Sequence, residues 1–94
     1  MPARLGLHHN RPNPFNPETT IRFELPHLAV VSLEIFALPG QRLRTLVSRK
    51  LPAGVHRVVW DGRDARGEPA GSGVYFYRLK AGAASLTRRM LLLK

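Results

Sequence analysis

The sequence predicts an all-β domain, an Ig-like antiparallel β-sandwich of about seven strands. Three observations predict it. Short apolar runs alternate with period two, the spacing at which successive side chains point to opposite faces of a strand. Clusters of Gly, Pro, Asn and Asp break these runs at intervals of roughly 8–12 residues, as in sandwiches and barrels. No stretch of useful length carries apolar residues at helical spacing. A small closed barrel is the alternative architecture. The 94 residues support a single hydrophobic core.

Residues 1–11 show no periodicity and are read as a flexible linker or tail. His8 and His9 lie there, and adjacent histidines on a flexible arm make a weak metal site. Residues 12–94 are read as the domain. It opens with Pro12, Asn13, Pro14, Phe15, Asn16 and Pro17. The prolines fix φ and bias Arg11, Asn13 and Asn16 towards extended backbone. Phe15 is expected to plug the end of the core as a clasp. The other use of such a segment is as a proline-rich ligand for a partner's groove.

Thr19 to Leu25 alternates, with Ile21, Phe23 and Leu25 inward and Thr20, Arg22 and Glu24 outward. Pro26 stops it. Val30 to Phe36 follows, with Val31, Leu33 and Ile35 inward and Ser32 and Glu34 outward. Leu38-Pro39-Gly40-Gln41 reads as a turn, with Gly40 placed for type II geometry. Arg42 to Val47 is a strand with Leu43 inward, Arg44 outward, and Leu46 reaching the core if the strand bends. Leu51 to Gly54 turns the chain into Val55 to Trp60, where His56, Val58 and Trp60 share a face.

The link Asp61 to Gly73 contains Gly62, Gly67, Gly71 and Gly73. It is long for a hairpin, so it is either a functional loop or one folded by its own turns. Val74 to Ala81 is a strand with Tyr75, Tyr77 and Leu79 on one face. Gly82-Ala83 reverses the chain. Ser85 to Leu93 is the last strand, with Leu86, Met90 and Leu92 on the core side. Val74 to Phe76 and Met90 to Leu93 are apolar on both faces, so these strands are central or cover something outside the domain.

Composition excludes several classes. There is no cysteine, so there is no disulfide scaffold or thiolate metal site. No run is long and apolar enough to span a membrane, and the N-terminus has no apolar signal-peptide core. If the protein is exported, the signal is expected on a part of the parent outside this chain. The net charge is +9, from 15 Lys and Arg against six Asp and Glu. That balance permits nucleic acid, anionic lipid or acidic glycan as a partner, by non-specific attraction. Solvated strand faces in an arginine-rich composition explain it equally.

Chemistry finds little purchase. Asp61 and Asp64 share a loop, but Arg63 and Arg66 stand where calcium ligands would be needed. Holding turns, by accepting backbone N–H groups a few residues on, is the expected role. Gly71-Ser72-Gly73 fits neither a nucleophile elbow nor a phosphate loop. His56 reads as a packed, hydrogen-bonded histidine. Hence no catalytic residue, metal site or cofactor is expected. Arg22, Arg57 and Arg78 all point away from the core, and Arg89 joins them in some registers. Such a stripe is either solvated or docks carboxylates or phosphates.

Three segments carry a resemblance: PNPFNPETTIRFELP (Pro12 to Pro26), AGVHRVVWDGRDARGEPAGSGVYFYRL (Ala53 to Leu79) and TRRMLLLK (Thr87 to Lys94). Together they resemble the FlgD/Vpr Ig-like domain. More narrowly, they resemble its form in type IX secretion system (Por) C-terminal sorting domains, over about residues 12–94. The matching positions are Pro12-Asn13-Pro14, Gly40, Trp60-Asp61-Gly62, Gly73-Val74-Tyr75, Arg88, Arg89 and Lys94. Ala37, where that family usually has Asp or Asn, and Pro39 depart from the pattern and bear on the hydrogen bonding of that turn. The hook-capping branch shares WDGRD but not typically the PNPFNP opening.

The resemblance implies a non-catalytic module appended to a larger extracellular enzyme or adhesin. It implies recognition by an outer-membrane secretion translocon, frequent removal by a sortase-like peptidase, and delivery of an upstream cargo domain through the periplasm to the cell surface. A Met1 start without cargo leads to the expectation of a fragmentary parent. The recognition surface is expected to include Arg88, Arg89 and Lys94. The alternatives are a structural assembly module like the Ig-like domain of the flagellar hook-capping protein, and a basic nucleic-acid binder.

Overall fold

The apolar faces marked out by alternation pair into two antiparallel sheets. A computed structural model describes residues 3–38 and 40–94. Its strands are β1 (Gly6–Leu7), β2 (Thr19–Leu25), β3 (Ala29–Ala37), β4 (Arg42–Leu51), β5 (Gly54–Trp60), β6 (Gly73–Ala81) and β7 (Ala84–Leu92). One sheet has three strands in the order β1-β2-β5, and the other has four in the order β4-β3-β6-β7. No helix occurs among the described residues. This is the Ig-like β-sandwich expected from the sequence.

The core forms where the two inner faces meet. Ile21, Phe23 and Leu25 of β2 are fully buried, as are Leu33 and Ile35 of β3 and Tyr77 and Leu79 of β6. Met90 and Leu92 of β7 join them. Each such side chain contributes about 1.5–3 kcal/mol of burial free energy. Across the β2–β5 pair, Phe23 faces His56, and their rings stack at 5.3 Å. The ring of His56 donates from Nε2 to the Pro52 carbonyl at 2.9 Å, so it is the packed, bonded histidine anticipated.

Several local expectations are revised. Residues 6–11, read as part of a flexible arm, belong to the sheet. Gly6 pairs with Glu24 and Leu7 with Phe23. The His8 amide donates to the Arg22 carbonyl at 3.0 Å, and Arg11 and Thr20 exchange amide bonds of 3.0 and 2.8 Å. The physical reason is the open edge of β2, whose backbone groups need partners. β4 is longer than expected and carries two bulges. Leu33 faces Val47 but Glu34 faces Thr45, passing over Leu46; Ile35 faces Arg44 but Phe36 faces Arg42, passing over Leu43. Each extra residue resets the alternation, so Leu43 and Leu46 are both half-buried and Val47 reaches the core.

Leu86 does not join the core. It lies opposite Leu79, but at this end of the edge strand β7 only the short β1 segment lies nearby, and 37% of it remains exposed. Glu34, placed outward by alternation, is nevertheless buried. In the β3–β4 turn, the Gly40 amide donates to the Ala37 carbonyl at 2.7 Å and the Ala37 amide to the Gln41 carbonyl at 2.9 Å. The bonded reversal therefore starts one residue earlier than expected, and main-chain groups close it where the sequence has Ala37 in place of Asp or Asn. Pro39 lies outside the described residues.

Phe15 is 2% exposed and sits 5.6 Å from the Trp60 ring. Replacing it with alanine removes a large buried ring where the two sheets meet, so Phe15→Ala should cost about 3–5 kcal/mol. Urea unfolding followed by tryptophan fluorescence checks this; a cost below about 1 kcal/mol would show that Phe15 is only draped on the surface.

Candidate functional site

The best-defined site is built where the opening segment, the long loop and the last strand meet. The Phe15 amide donates to the Leu91 carbonyl at 3.0 Å, and the Leu93 amide donates to the Phe15 carbonyl at 3.1 Å. The side chain of Asn13 accepts from the Leu91 amide at 3.0 Å. The Pro12 to Pro17 segment thus adds a short parallel pairing to the free edge of β7. Its prolines lack N–H groups and make no competing ladder; Pro12, Pro14 and Pro17 each follow a cis peptide bond. Behind it, Asn10 donates to Thr19 Oγ1 at 3.0 Å, and Thr19 donates to the Pro12 carbonyl at 2.9 Å.

The aromatic cluster beneath is continuous. Trp60 packs against Phe15 and, edge to face at 5.5 Å, against Tyr75. Every polar handle in it is satisfied. The Trp60 indole N–H donates to the Arg63 carbonyl at 2.9 Å. The Tyr75 hydroxyl donates to the Gly71 carbonyl at 2.6 Å, and the Tyr77 hydroxyl to the His8 carbonyl at 2.6 Å. Burial pushes both phenols above their ordinary pKa, with a backbone hydrogen bond from Asn10 and then the Arg88 charge opposing this at Tyr77.

The Asp61 to Gly73 loop is folded by its own turns. Asp61 Oδ1 accepts from the Arg63 amide at 3.0 Å and from Arg44 Nη1 at 2.7 Å. Asp64 Oδ1 accepts from the amides of Arg66 and Glu68 at 2.9 and 3.0 Å. Both carboxylates therefore hold turns, as their placement two residues before an amide donor predicts. Gly67 caps the second turn, with its amide on the Asp64 carbonyl at 3.0 Å. Gly62 has φ of 78°, and a Cβ there would lie 2.6 Å from the Pro17 carbonyl oxygen. Only glycine lets the loop and the opening segment approach this closely. Among the described residues, no group of three or more His, Asp or Glu side chains converges as a metal site.

The three basic residues expected to be recognised together do not cluster. Arg88 is half-buried; its Nε donates to the Leu7 carbonyl and its Nη1 to His9 Nε2, the latter at 3.2 Å. It ties β7 to the arm. Arg89 is exposed on the outer face opposite Phe76. Lys94 is exposed, its amide donating to Ser72 Oγ at 2.9 Å. Val74 and Leu91 face each other across β6 and β7, with Val74 36% exposed.

Nor do the arginines form one stripe. Arg22 and Arg57 oppose each other on the three-stranded sheet. Arg78 lies on the four-stranded sheet, where Arg78 and Arg42 contact Glu34 at 3.3 and 3.1 Å and Arg78 stacks 4.6 Å over the Phe36 ring. Sequence reasoning missed His8, His9 and Arg11 as neighbours of Arg22, because a two-residue strand leaves no periodic signal.

The profile of the FlgD Ig-like domain matches residues 11–85. No curated protein matches the chain significantly. Among solved structures, dimeric latent PorU from Porphyromonas gingivalis is similar with a TM-score of 0.76 at 19% identity, over 93% of this chain and 9% of PorU. PorZ from the same organism, described as an essential bacterial surface component of the type IX secretion system, is similar with a TM-score of 0.64 at 23% identity, over 95% of this chain and 12% of PorZ. The chain thus spans about a tenth of these proteins, and at these identities the likeness is one of fold. No helix among the described residues is long and apolar enough to cross a membrane.

Glu34 offers a test of the electrostatics on the outer side of the four-stranded sheet. Burial alone would raise its carboxyl pKa, but the hydrogen bonds and charges of Arg42 and Arg78 outweigh it and hold the group below its ordinary value of 4.5. A depressed folded-state pKa adds stability that is present above the ordinary value and lost as pH falls through the folded one. Glu34→Gln should therefore cost about 1–3 kcal/mol near neutral pH and flatten the fall in stability below pH 4.5. Denaturant midpoints measured from neutral to acid pH check this; parallel curves for both proteins would contradict it.

Proposed function

Because this chain belongs to the FlgD Ig-like domain family, we propose that it is a non-catalytic module that directs secretion and cell-surface sorting of a larger extracellular protein. The observation that carries the reading is the state of β7. It is the edge of the four-stranded sheet, clasped at Leu91 and Leu93 by the opening segment. Apart from that clasp its edge is paired with no strand, although the Leu5 to His8 arm lies beside Leu86 to Arg88, so backbone donors and acceptors remain for a partner strand. Arg89 and Lys94 stand exposed on it and just beyond it. An outer-membrane translocon would read this edge, and a sortase-like peptidase would act between it and an upstream cargo domain. The likeness to part of PorZ supports a type IX, extracellular or surface setting.

The polar groups described above are spent on holding turns and strands, which favours a binding module over an enzyme. A second reading, an assembly module like the hook-capping domain, is favoured by the partly exposed apolar pair Val74 and Leu91. It predicts self-association of the isolated domain on size exclusion. The nucleic-acid reading gains no support: the arginines sit on two faces, and Phe36 and Phe76, the least buried rings, are each half-covered.

A fusion experiment tests the main reading. The whole chain, including the β1 arm that pairs with β2, is attached to a periplasmic reporter in a host with a type IX translocon. The fused reporter should reach the cell surface. The double variant Arg89→Ala, Lys94→Ala, which touches only exposed side chains, should lower surface delivery about tenfold, the effect of losing roughly 1.4 kcal/mol of recognition. A reporter that stays in the periplasm with the intact domain, or an unchanged location after deletion of residues 87–94, would overturn the proposal.

A further inference from the structure

We propose that the outer face of the three-stranded sheet holds a binding site for a phosphate monoester, a feature separate from the β7 edge and independent of the secretion reading. The site is a concavity of about 390 Å³ lined by His8, His9, Arg11, Thr20, Arg22 and Arg57. Backbone pairing fixes its cations. Arg22 and Arg57 are direct partners across β2 and β5. Arg11 is locked opposite Thr20 by two amide bonds of 3.0 and 2.8 Å, so its side chain is set on the face that also carries Thr20 and Arg22.

This arrangement needs an anion. Like charges directly opposed on neighbouring strands repel and cost stability. The protein meets the same problem on its other sheet with an internal carboxylate: Arg42 and Arg78 converge on Glu34, which is buried between them. The three-stranded sheet has no equivalent. The carboxylate its strands carry, Glu24, is engaged by His8 Nε2, and Arg22 Nη2 donates at 3.2 Å to Nδ1 of the same ring. Among the described residues, no ion pair or side-chain hydrogen bond occupies the guanidinium of Arg11 or Arg57. Three arginines and a hydroxyl therefore face one hollow with a single, already engaged counter-charge.

The chemical class follows from the donors. Guanidinium forks match the paired oxygens of phosphate, and Thr20 adds a neutral donor. A dianionic phosphate neutralises the excess charge better than a single carboxylate would. The volume is in the range of small-molecule pockets and exceeds the need of a bare ion, so the preferred ligand is a phosphate carried on a sugar-sized body.

Calorimetric titration of the whole chain at low salt and near neutral pH, with inorganic phosphate in one arm and glucose 6-phosphate in the other, tests the proposal. Amide chemical shifts of Thr20, Arg22 and Arg57 locate the site. Saturable one-to-one binding is expected, at least about threefold tighter for the sugar phosphate. Arg57→Gln should weaken it about tenfold, the loss of one charge-assisted fork. Arg49→Gln, an exposed charge on β4, should leave it unchanged. Thermal melts verify that both variants fold. Equal binding in both arms would overturn the preference for a monoester, since the sugar body would then add nothing. Absence of saturation, shifts elsewhere on the surface, or equal weakening by the two variants would overturn the site itself.

Discussion

The contact on which this structure depends is the insertion of Phe15 between the indole of Trp60 and the end of β7. One residue serves three elements. Its ring completes the aromatic cluster that closes the sandwich, and its amide and carbonyl bond the chain on either side of Leu92. The glycine-rich loop approaches from the third side, with Gly62 against Pro17. Without this insertion, the end of the last strand would lose its second strand-edge partner and Trp60 one of its two aromatic neighbours. Burial, edge pairing and loop closure are therefore one arrangement, and the chain concentrates its least substitutable residues around it.

The two outer faces handle the same excess of arginine differently. On the four-stranded sheet, Glu34 is buried between Arg42 and Arg78, and Phe36 takes the face of the second guanidinium. Breaking such a group is costly because it strands a buried charge. On the three-stranded sheet, Arg11, Arg22 and Arg57 surround an open hollow. The first arrangement is internal and belongs to stability. The second is directed outward, and it is the ground of the phosphate-site proposal. The edge of β7 is a third kind of surface, defined by backbone groups more than by side chains.

Much of this was legible in the sequence, and the rest had physical reasons to stay hidden. Strands β2 and β3 follow from alternation, and β6 from the shared face of Tyr75, Tyr77 and Leu79, since burial of that face leaves the register no slip. The turn-holding of Asp61 and Asp64, and the clasp by Phe15, follow from local chemistry. β1 stayed hidden because two residues carry no period; it exists because β2 has an edge to fill. The bulges in β4 were visible only as an awkward placement of Leu46. Glu34 and the arginines show the deeper limit. Alternation says which side of a strand a residue takes, but not which sheet the strand joins. Arg22 and Arg78 therefore read as neighbours, though they lie on opposite faces of the molecule. Leu86 followed the alternation and still missed the core, because burial also requires something to lie across from it.

Native-state amide hydrogen exchange tests the central role of the Phe15 insertion most directly. The amides of Phe15 and Leu93 should exchange only through global unfolding, with the same free energy and denaturant dependence as that of Tyr77 in the centre of β6. Exchange of the Phe15 and Leu93 amides through low-energy local opening, while Tyr77 remains protected to the global limit, would show that the clasp is an appendage to a sandwich that closes without it.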